Sequence, residues 1–433
     1  MKPISEITAA VCDYGSFLSL AERLARDYKK VRYYSPFEFE YQDIKTSIIG
    51  VGLERVHRLD ELLDPNIIEE TDLFLFPDIG WGGLQRYLRS IGKLVWGSMG
   101  TSDLELYRTY FNETIKELGL PLVNSVKFTG VTALAEHLKA VENKWVKINR
   151  FRENMETWHH IDYLHSQREL ERLASVFGPT KEHVVFVVQD AIEDAIEIGY
   201  DGFTVDGQFP AQSFSGYEKK NELYLGSLLK QEDLPEPVRM VNEAMQPMLE
   251  KAQYRNFIAT ELRVQGDKTY FIDPTMRLAG QTMEHQFESC TNLAEVILCG
   301  ADGRIIEPDF SHEYAAEATI HYTAGAVDEW KTIQVPEAAR RWTKLYHYCE
   351  LDGAYHFPPY RNDEVGVIVG LGDSVAESVE SLKENFKAFE KEPLSIRLEG
   401  FADLLKEIEK AEAEGMEFTD QPLPPPEIVL APA

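Results

Sequence analysis

Short apolar runs that stop at turn residues, with helical patterns between them, constrain the first third of this chain most. Ile7 to Cys12 is apolar and ends in Asp13-Tyr14-Gly15. Phe17, Leu20, Ala21, Leu24 and Ala25 follow at helical spacing, and Val31 to Tyr34 is a second run. Leu73 to Phe76 is a third, stopped by Pro77-Asp78, and Leu94 to Trp96 a fourth. Strand–helix–strand repetition of this kind predicts a parallel sheet wrapped by helices. Ligands of such sheets bind beyond the carboxyl ends of the strands, where Asp13 to Gly15 and Pro77 to Gly80 fall. The same residues are also what any strand end needs to turn.

Further along, the pattern changes. Asp103 to Leu118 reads as a helix stopped by Gly119-Leu120-Pro121. Val123 to Phe128 reads as a strand, Val131 to Val141 as a helix, and Lys144 to Ile148 as a short strand. Ser166 to Phe177 is helical, Val184 to Gln189 a buried strand, and Ala195 to Gly207 a strand and turn. Pro235 to Ala252 is helical. Asn256 to Val264 and Lys268 to Asp273 flank Gln265-Gly266-Asp267, a hairpin signal. Asn292 to Cys299 is helical, and after about Asp309 the chain changes character and reads as a separate lobe. Within that lobe Val365 to Gly370 is a strand and Ser374 to Lys391 a helix, and the proline-rich tail from Gln421 is extended.

A chain of 433 residues exceeds one ordinary core and predicts two to four folding units. Its 44 basic and 73 acidic residues leave a formal charge of −29, which repels phosphate backbones and anionic lipid. Bulk nucleic-acid and membrane binding are therefore not expected. The four cysteines, Cys12, Cys290, Cys299 and Cys349, form no Cys-x-x-Cys pair and read as reduced thiols. The first residues lack a basic start followed by an apolar run, and no stretch approaches a membrane span, so a soluble cytoplasmic protein is expected.

Several clusters carry possible chemistry. Glu261 and Asp273 lie on the two strands of the predicted hairpin, where paired carboxylates can share a divalent cation. Thr275 adds a hydroxyl, and Arg277 is placed to grip a phosphate or carboxylate. Taken alone, this is first an ordinary surface hairpin with charged ends. Lys147 closes an apolar strand and can reach nucleotide phosphates as a point charge, or snorkel to water. Asn149 to His160 gathers Arg150 and Arg152 in an otherwise acidic chain, which suits phosphate contact and stabilisation of transition-state charge. His159 and His160 read as structural. Val187 to Ile192, including Gln189 and Asp190, offers backbone groups to an adenine edge. Gly216 to Asn221, with Lys219, is a small basic loop or simply a solvated turn. No Gly-x-x-x-x-Gly-Lys-Ser/Thr run and no Gly-x-Ser-x-Gly elbow occurs.

The order of these elements resembles the ATP-grasp superfamily, and within it phosphoribosylamine–glycine ligase, over most of the chain. Arg108, ahead of the helix that ends at Gly119-Leu120-Pro121, stands where the family has a phosphate-binding lysine. Lys147 resembles the second such lysine, and Val187 to Ile192 the adenine-hinge strand. Glu261 and Asp273 resemble the acidic metal ligands, and the family's Glu-x-Asn-x-Arg appears as Asp273-Pro274-Thr275-Met276-Arg277. Val365 to Ser374 resembles the ligase's final lobe, and Glu197 to Gly202 resembles a divergent glycine-ligase-like subgroup.

The resemblance implies an ATP-grasp fold of mixed α/β and α+β domains. Its parts would be an N-terminal α/β domain (1–115), a small subdomain (116–188), a large subdomain with the metal site (189–310), and a C-terminal lobe and tail (311–433). It implies ATP and Mg²⁺, or Mn²⁺ in its place, as cofactors. Arg108, Lys147, Arg150, Gln189, Asp190, Ile192, Glu197 and Lys219 would serve the nucleotide, and Arg277 and Arg152 catalysis. Small carboxylate and amine (or thiol) substrates would be joined through an acyl phosphate, and a homodimer is compatible with this. An ATP-dependent phosphotransferase and a catalytically degenerate nucleotide sensor are the alternatives. Departures fall mainly on the substrate side. The glycine-rich phosphate loop gives way to the arginine-containing run, the N-terminal Gly-Gly-Arg-Glu-His is missing, and Leu278-Ala279-Gly280-Gln281 replaces Phe-Gly-Asp-Pro.

Overall fold

The computed structural model describes residues 1–36, 48–150, 157–326, 329–359 and 363–425. Among them the first third forms a five-stranded parallel sheet of β1 (Thr8–Cys12), β2 (Lys30–Tyr34), β3 (Val56–Arg58), β4 (Leu73–Leu75) and β5 (Leu94–Trp96), in the order β3-β2-β1-β4-β5. Ala9, Ala10, Val11 and Cys12 are all fully buried, because a central parallel strand is covered on both faces. Strand order reverses between β1 and β4, so the crevice of this sheet opens at Asp13 and at Pro77. The expected parallel layer is therefore present, with its loops at the switch point.

A four-stranded antiparallel sheet follows: β6 (Ser125–Thr129), β7 (Lys144–Ile148), β8 (Thr157–His160) and β9 (Val185–Asp190), ordered β6-β9-β7-β8. Helices Val131–Leu138 and Tyr163–Phe177 pack on it and give it its own core around Leu134, Val146, Leu173 and Phe186. The helix expected over Asp103 to Leu118 is two helices, Ser102–Leu106 and Arg108–Glu117, broken where Tyr107 is extended. Asn149 explains the break. Its carbonyl accepts from Arg108 N at 3.1 Å and its side chain from Thr109 N at 2.9 Å, capping the second helix from another strand's end.

The large sheet contains β10 (Ile196–Val205), β11 (Gln212–Lys219), β12 (Leu223–Lys230), β13 (Arg255–Gln265), β14 (Lys268–Thr275) and β15 (Tyr314–Tyr322). It is extended by the last third of the chain. After β16 (Lys331–Ile333) come β17 (Thr343–Leu345), β18 (Cys349–Leu351), β19 (Ala354–Phe357), β20 (Glu364–Gly372) and β21 (Leu394–Ser395). The order is β14-β13-β10-β11-β12-β15-β20-β17, with β21 on β15, while β16, β19 and β18 form a separate small sheet. Residues beyond 310 thus complete a sheet begun before them. Gly216 to Lys219, read above as loop, is the end of β11. The turn falls at Asn221, whose φ of 60° is the left-handed conformation asparagine tolerates.

Trp96 joins the first sheet to the large one. It is fully buried, packs edge-on against Phe257 at 5.4 Å, and is followed by a backbone bridge from Gly97 N to Arg255 O at 2.7 Å. Among the described residues no helix is long and apolar enough to cross a membrane. All four cysteines are buried and free of disulfides.

Candidate active site

The site begins with a register slip. Glu261 pairs with Asp273 across the β13–β14 hairpin, but Leu262 pairs with Phe271, so Ile272 is an extra residue. Side chains alternate faces along a strand, and one inserted residue reverses the alternation beyond it. Phe271 therefore packs inward, edge-on to Phe111 at 5.1 Å, while Asp273 and Thr275 turn to the face that carries Glu261. All three line a cavity of about 470 Å³, within the size range of small-molecule sites. Glu197 from β10 and Arg277 line it too, as do Glu105, Asp201, Glu218 and Glu364.

Arg277 is held from two sides. Its Nε donates to Glu105 Oε1 at 2.9 Å and lies 3.6 Å from Asp78, and its Nη1 donates to Leu278 O at 3.0 Å. The other Glu105 oxygen accepts from Met276 N at 2.9 Å. Burial works against the guanidinium charge, but Glu105 and Asp78 outweigh it and hold its pKa above the ordinary arginine value. Asp78 sits at the end of β4, so the N-terminal sheet reaches the site through it. Leu278 N donating to Pro77 O at 2.8 Å fixes the approach.

The carboxylates around the cavity are strained electrostatically. Burial, reinforced by Glu261, pushes Glu197 up to about 8 despite its ion pair with Arg263. Burial and Glu261 push Glu218 up to about 7. Asp201 is pushed up to about 7 by burial, although Tyr224 and Thr282 hydroxyls donate to it at 3.0 Å each. Carboxyls crowded in this way resist ionisation, and a bound cation would favour their charged form.

Arg108 lies just outside the cavity. Its guanidinium meets Asp273 Oδ1 at 2.5 Å, so two residues singled out for phosphate and metal are brought together. Lys147 is 7% exposed within β7, between Thr157 and Val187. Arg150 stacks over the Tyr107 ring at 5.0 Å. Gln189 and Asp190 end β9, and Asp190 is taken by Lys144 at 2.7 Å and Asn124 at 2.9 Å. Ile192 follows in the linker to β10. None of these six lines the cavity. Lys219 does not either, its ammonium resting 3.1 Å from Glu222. Arg152 lies outside the described residues.

Two carboxylates opposite each other fit a magnesium ion, which takes oxygen ligands from one or two carboxylates and completes its shell with phosphate and water. Among the described residues no group of three His, Cys, Asp or Glu is gathered as a preformed metal centre. Sequence reasoning missed Glu105, Glu218 and Glu364. They come from a short helix, a strand read as loop, and the far end of the sheet. No local signal marks them.

No family model matches this chain, and no curated protein matches it. Solved structures do. Phosphoribosylamine–glycine ligase from Thermotoga maritima superposes with a TM-score of 0.64 at 14% identity, over 90% of this chain and 97% of that one. The biotin carboxylase domain of Hydrogenobacter thermophilus 2-oxoglutarate carboxylase, solved with MgADP and bicarbonate, gives 0.61 at 12% identity, over 97% and 100%. An L-amino acid ligase from Bacillus licheniformis gives 0.56 at 16% identity, over 92% and 99%. At these identities the likeness is one of fold.

Proposed function

We propose that this chain, which has the ATP-grasp fold, is an ATP-dependent ligase that activates a carboxylate as an acyl phosphate and passes the acyl group to an amine or thiol. The observation that carries the reading is the bulged hairpin, which turns Glu261, Asp273 and Thr275 into one cavity with Arg277. Glu261 and Asp273, with Thr275, would hold Mg²⁺, or Mn²⁺ in its place. The metal would supply charge neutralisation of the nucleotide's phosphates.

The rest falls to the chain's own groups. Arg108, Lys147, Arg150 and Lys219 would contact phosphate oxygens, and the backbone from Gln189 and Asp190 to Ile192 the adenine edge. Glu197 would serve the nucleotide from β10. Arg277, fixed by Glu105, would face the negative charge that develops as the substrate carboxylate attacks the terminal phosphorus and ADP leaves. Arg152 would share that task. The acceptor would then attack the acyl carbon, lose a proton and expel phosphate. No protein nucleophile is needed, and catalysis is positioning and fixed charge.

The assay is ATP and Mg²⁺ with pools of amino acids and amines, reading ADP and phosphate together. Release of both only when a pool is present is the expected result. AMP and pyrophosphate would sink the acyl-phosphate mechanism. One observation favours a second reading: Arg108 occupying Asp273 is what a nucleotide sensor without turnover would also display. ATP binding without product from any pool would decide for it.

A further inference from the structure

The mouth of the N-terminal sheet is already filled. At the carboxyl ends of parallel strands, ligand phosphates are normally held by free loop N–H groups. Here Asp13 takes those of Gly15 at 3.0 Å and Phe17 at 2.5 Å, and the Tyr33 hydroxyl as well. After β4, Asp78 takes Ile79 N at 2.7 Å, and Ser102 Oγ takes Gly80 N at 3.2 Å. His347 then closes the first loop from outside. Its N donates to Gly15 O at 2.8 Å, and a Cβ placed on Gly15 would lie 2.4 Å from its Nδ1. A phosphate arriving there would meet carboxylates, with these loop N–H groups already taken.

Charge within the cavity points the same way. Arg277 is matched by Glu105 and Asp78. With Glu261 and Asp273 assigned to the metal and Glu197 paired with Arg263, the carboxyls of Asp201, Glu218, Glu364 and Glu407 remain against Lys220 and Lys331, and a cation beside them would favour their ionised form. A separate feature marks the wall as a contact surface. Thr319 lines the cavity and is 3% exposed, yet its Oγ1 has no hydrogen-bond partner among the described residues. A buried hydroxyl in that condition is available to a ligand that enters the cavity.

We infer that the amine substrate is an unphosphorylated cation, an aliphatic diamine or polyamine, held in this cavity by Glu364 and the neighbouring carboxylates with Thr319 Oγ1 as a hydrogen-bonding partner. The inference rests on the ligase reading and narrows its acceptor. One ammonium gives its proton to solvent and becomes the nucleophilic amine, and the other stays charged and anchors the molecule.

Calorimetric titration of the full chain tests it, in Mg²⁺ and a non-hydrolysable ATP analogue, with putrescine, ethanolamine and phosphoethanolamine as probes. Putrescine should bind about tenfold more tightly than ethanolamine, phosphoethanolamine more weakly than ethanolamine, and added salt should narrow the first gap. Glu364→Gln should remove most of putrescine's advantage while still binding the ATP analogue, which certifies its fold. Phosphoethanolamine equal to or tighter than putrescine, or putrescine no tighter than ethanolamine, overturns the inference. The nucleotide titration is read separately. Absent nucleotide binding counts against the ligase reading, and the amines are then ranked on the bare cavity, where the same order is required.

Discussion

Arg108 meets Asp273 at 2.5 Å, joining the first turn of a helix beside the small sheet to the hairpin of the large one. Both carry opposite charges that MgATP would satisfy separately, the arginine by phosphate and the aspartate by the metal. Asp273→Asn keeps the shape and the hydrogen-bonding reach but loses the charge. It should abolish ADP release and leave the thermal unfolding midpoint within a few degrees of the parent. Retained turnover would remove Asp273 from the metal site.

Glu105 acts through Arg277. One of its oxygens holds the guanidinium and the other the Met276 amide, and its own side chain is 3% exposed. Glu105→Gln removes the nearest carboxylate from Arg277 and leaves the more distant Asp78 and Asp273, a cost of about 2 kcal/mol. Turnover should fall about 10²-fold with the ATP KM nearly unchanged, because the guanidinium loses its aim rather than the nucleotide its site. A change confined to KM would count against this placement of Arg277.

Stability should decline as pH rises from about 6.5 to about 8. Burial pushes Asp13 up to about 6 and Asp201 up to about 7, and raises Glu317 as well. For these groups the folded chain binds more protons than the unfolded chain, whose carboxyls ionise near pH 4, so deprotonation disfavours the fold. Below about 6.5 an opposing effect enters. Burial lowers His285 to about 3 and His347 to about 4, and the unfolded chain then takes up the protons. Lys344, lowered by burial to about 8, limits the window from above. Unfolding midpoints across this range check the sign; a flat or rising trend would mean the carboxyls are ionised in the fold.

Glu288 is the anchor of a buried cluster away from the cavity. It accepts from Arg26 at 2.8 Å, Arg341 at 2.6 Å and Lys344 at 2.7 Å, and Lys344 is 2% exposed. Glu288→Gln strands the lysine and should destabilise the protein by about 3–5 kcal/mol. Denaturant titration measures it. A loss below about 1 kcal/mol would mean that solvent reaches Lys344.

What could be read without the fold was local. The parallel sheet announced itself through apolar runs of strand length, and the hairpin through Gln265-Gly266-Asp267. The bulge at Ile272 left no trace, although the facing of Asp273 depends on it. β11 and β12 were overlooked because their alternation is interrupted by Gly216 and Gly226, and glycines there read as turns. Both pack against Tyr224, whose ring occupies the space a side chain would need. Glu105, Glu218 and Glu364 are far apart in the chain, and only sheet order brings them to one cavity. That order is a tertiary fact, set by which edges find each other.

The shared sheet also settles what can be cut. β12 hydrogen-bonds β15 over five residue pairs, from Leu223–Ala318 to Ser227–Tyr314. A fragment ending at residue 310 would bare that edge, with Leu223, Tyr224 and Leu225 behind it, to any other strand in solution. The C-terminal third is therefore not a cargo module that shuffling could exchange. Transplanting it onto a relative, or expressing either piece alone, should give aggregates, and substrate range in such a protein would evolve by substitution within the cavity rather than by swapping its end.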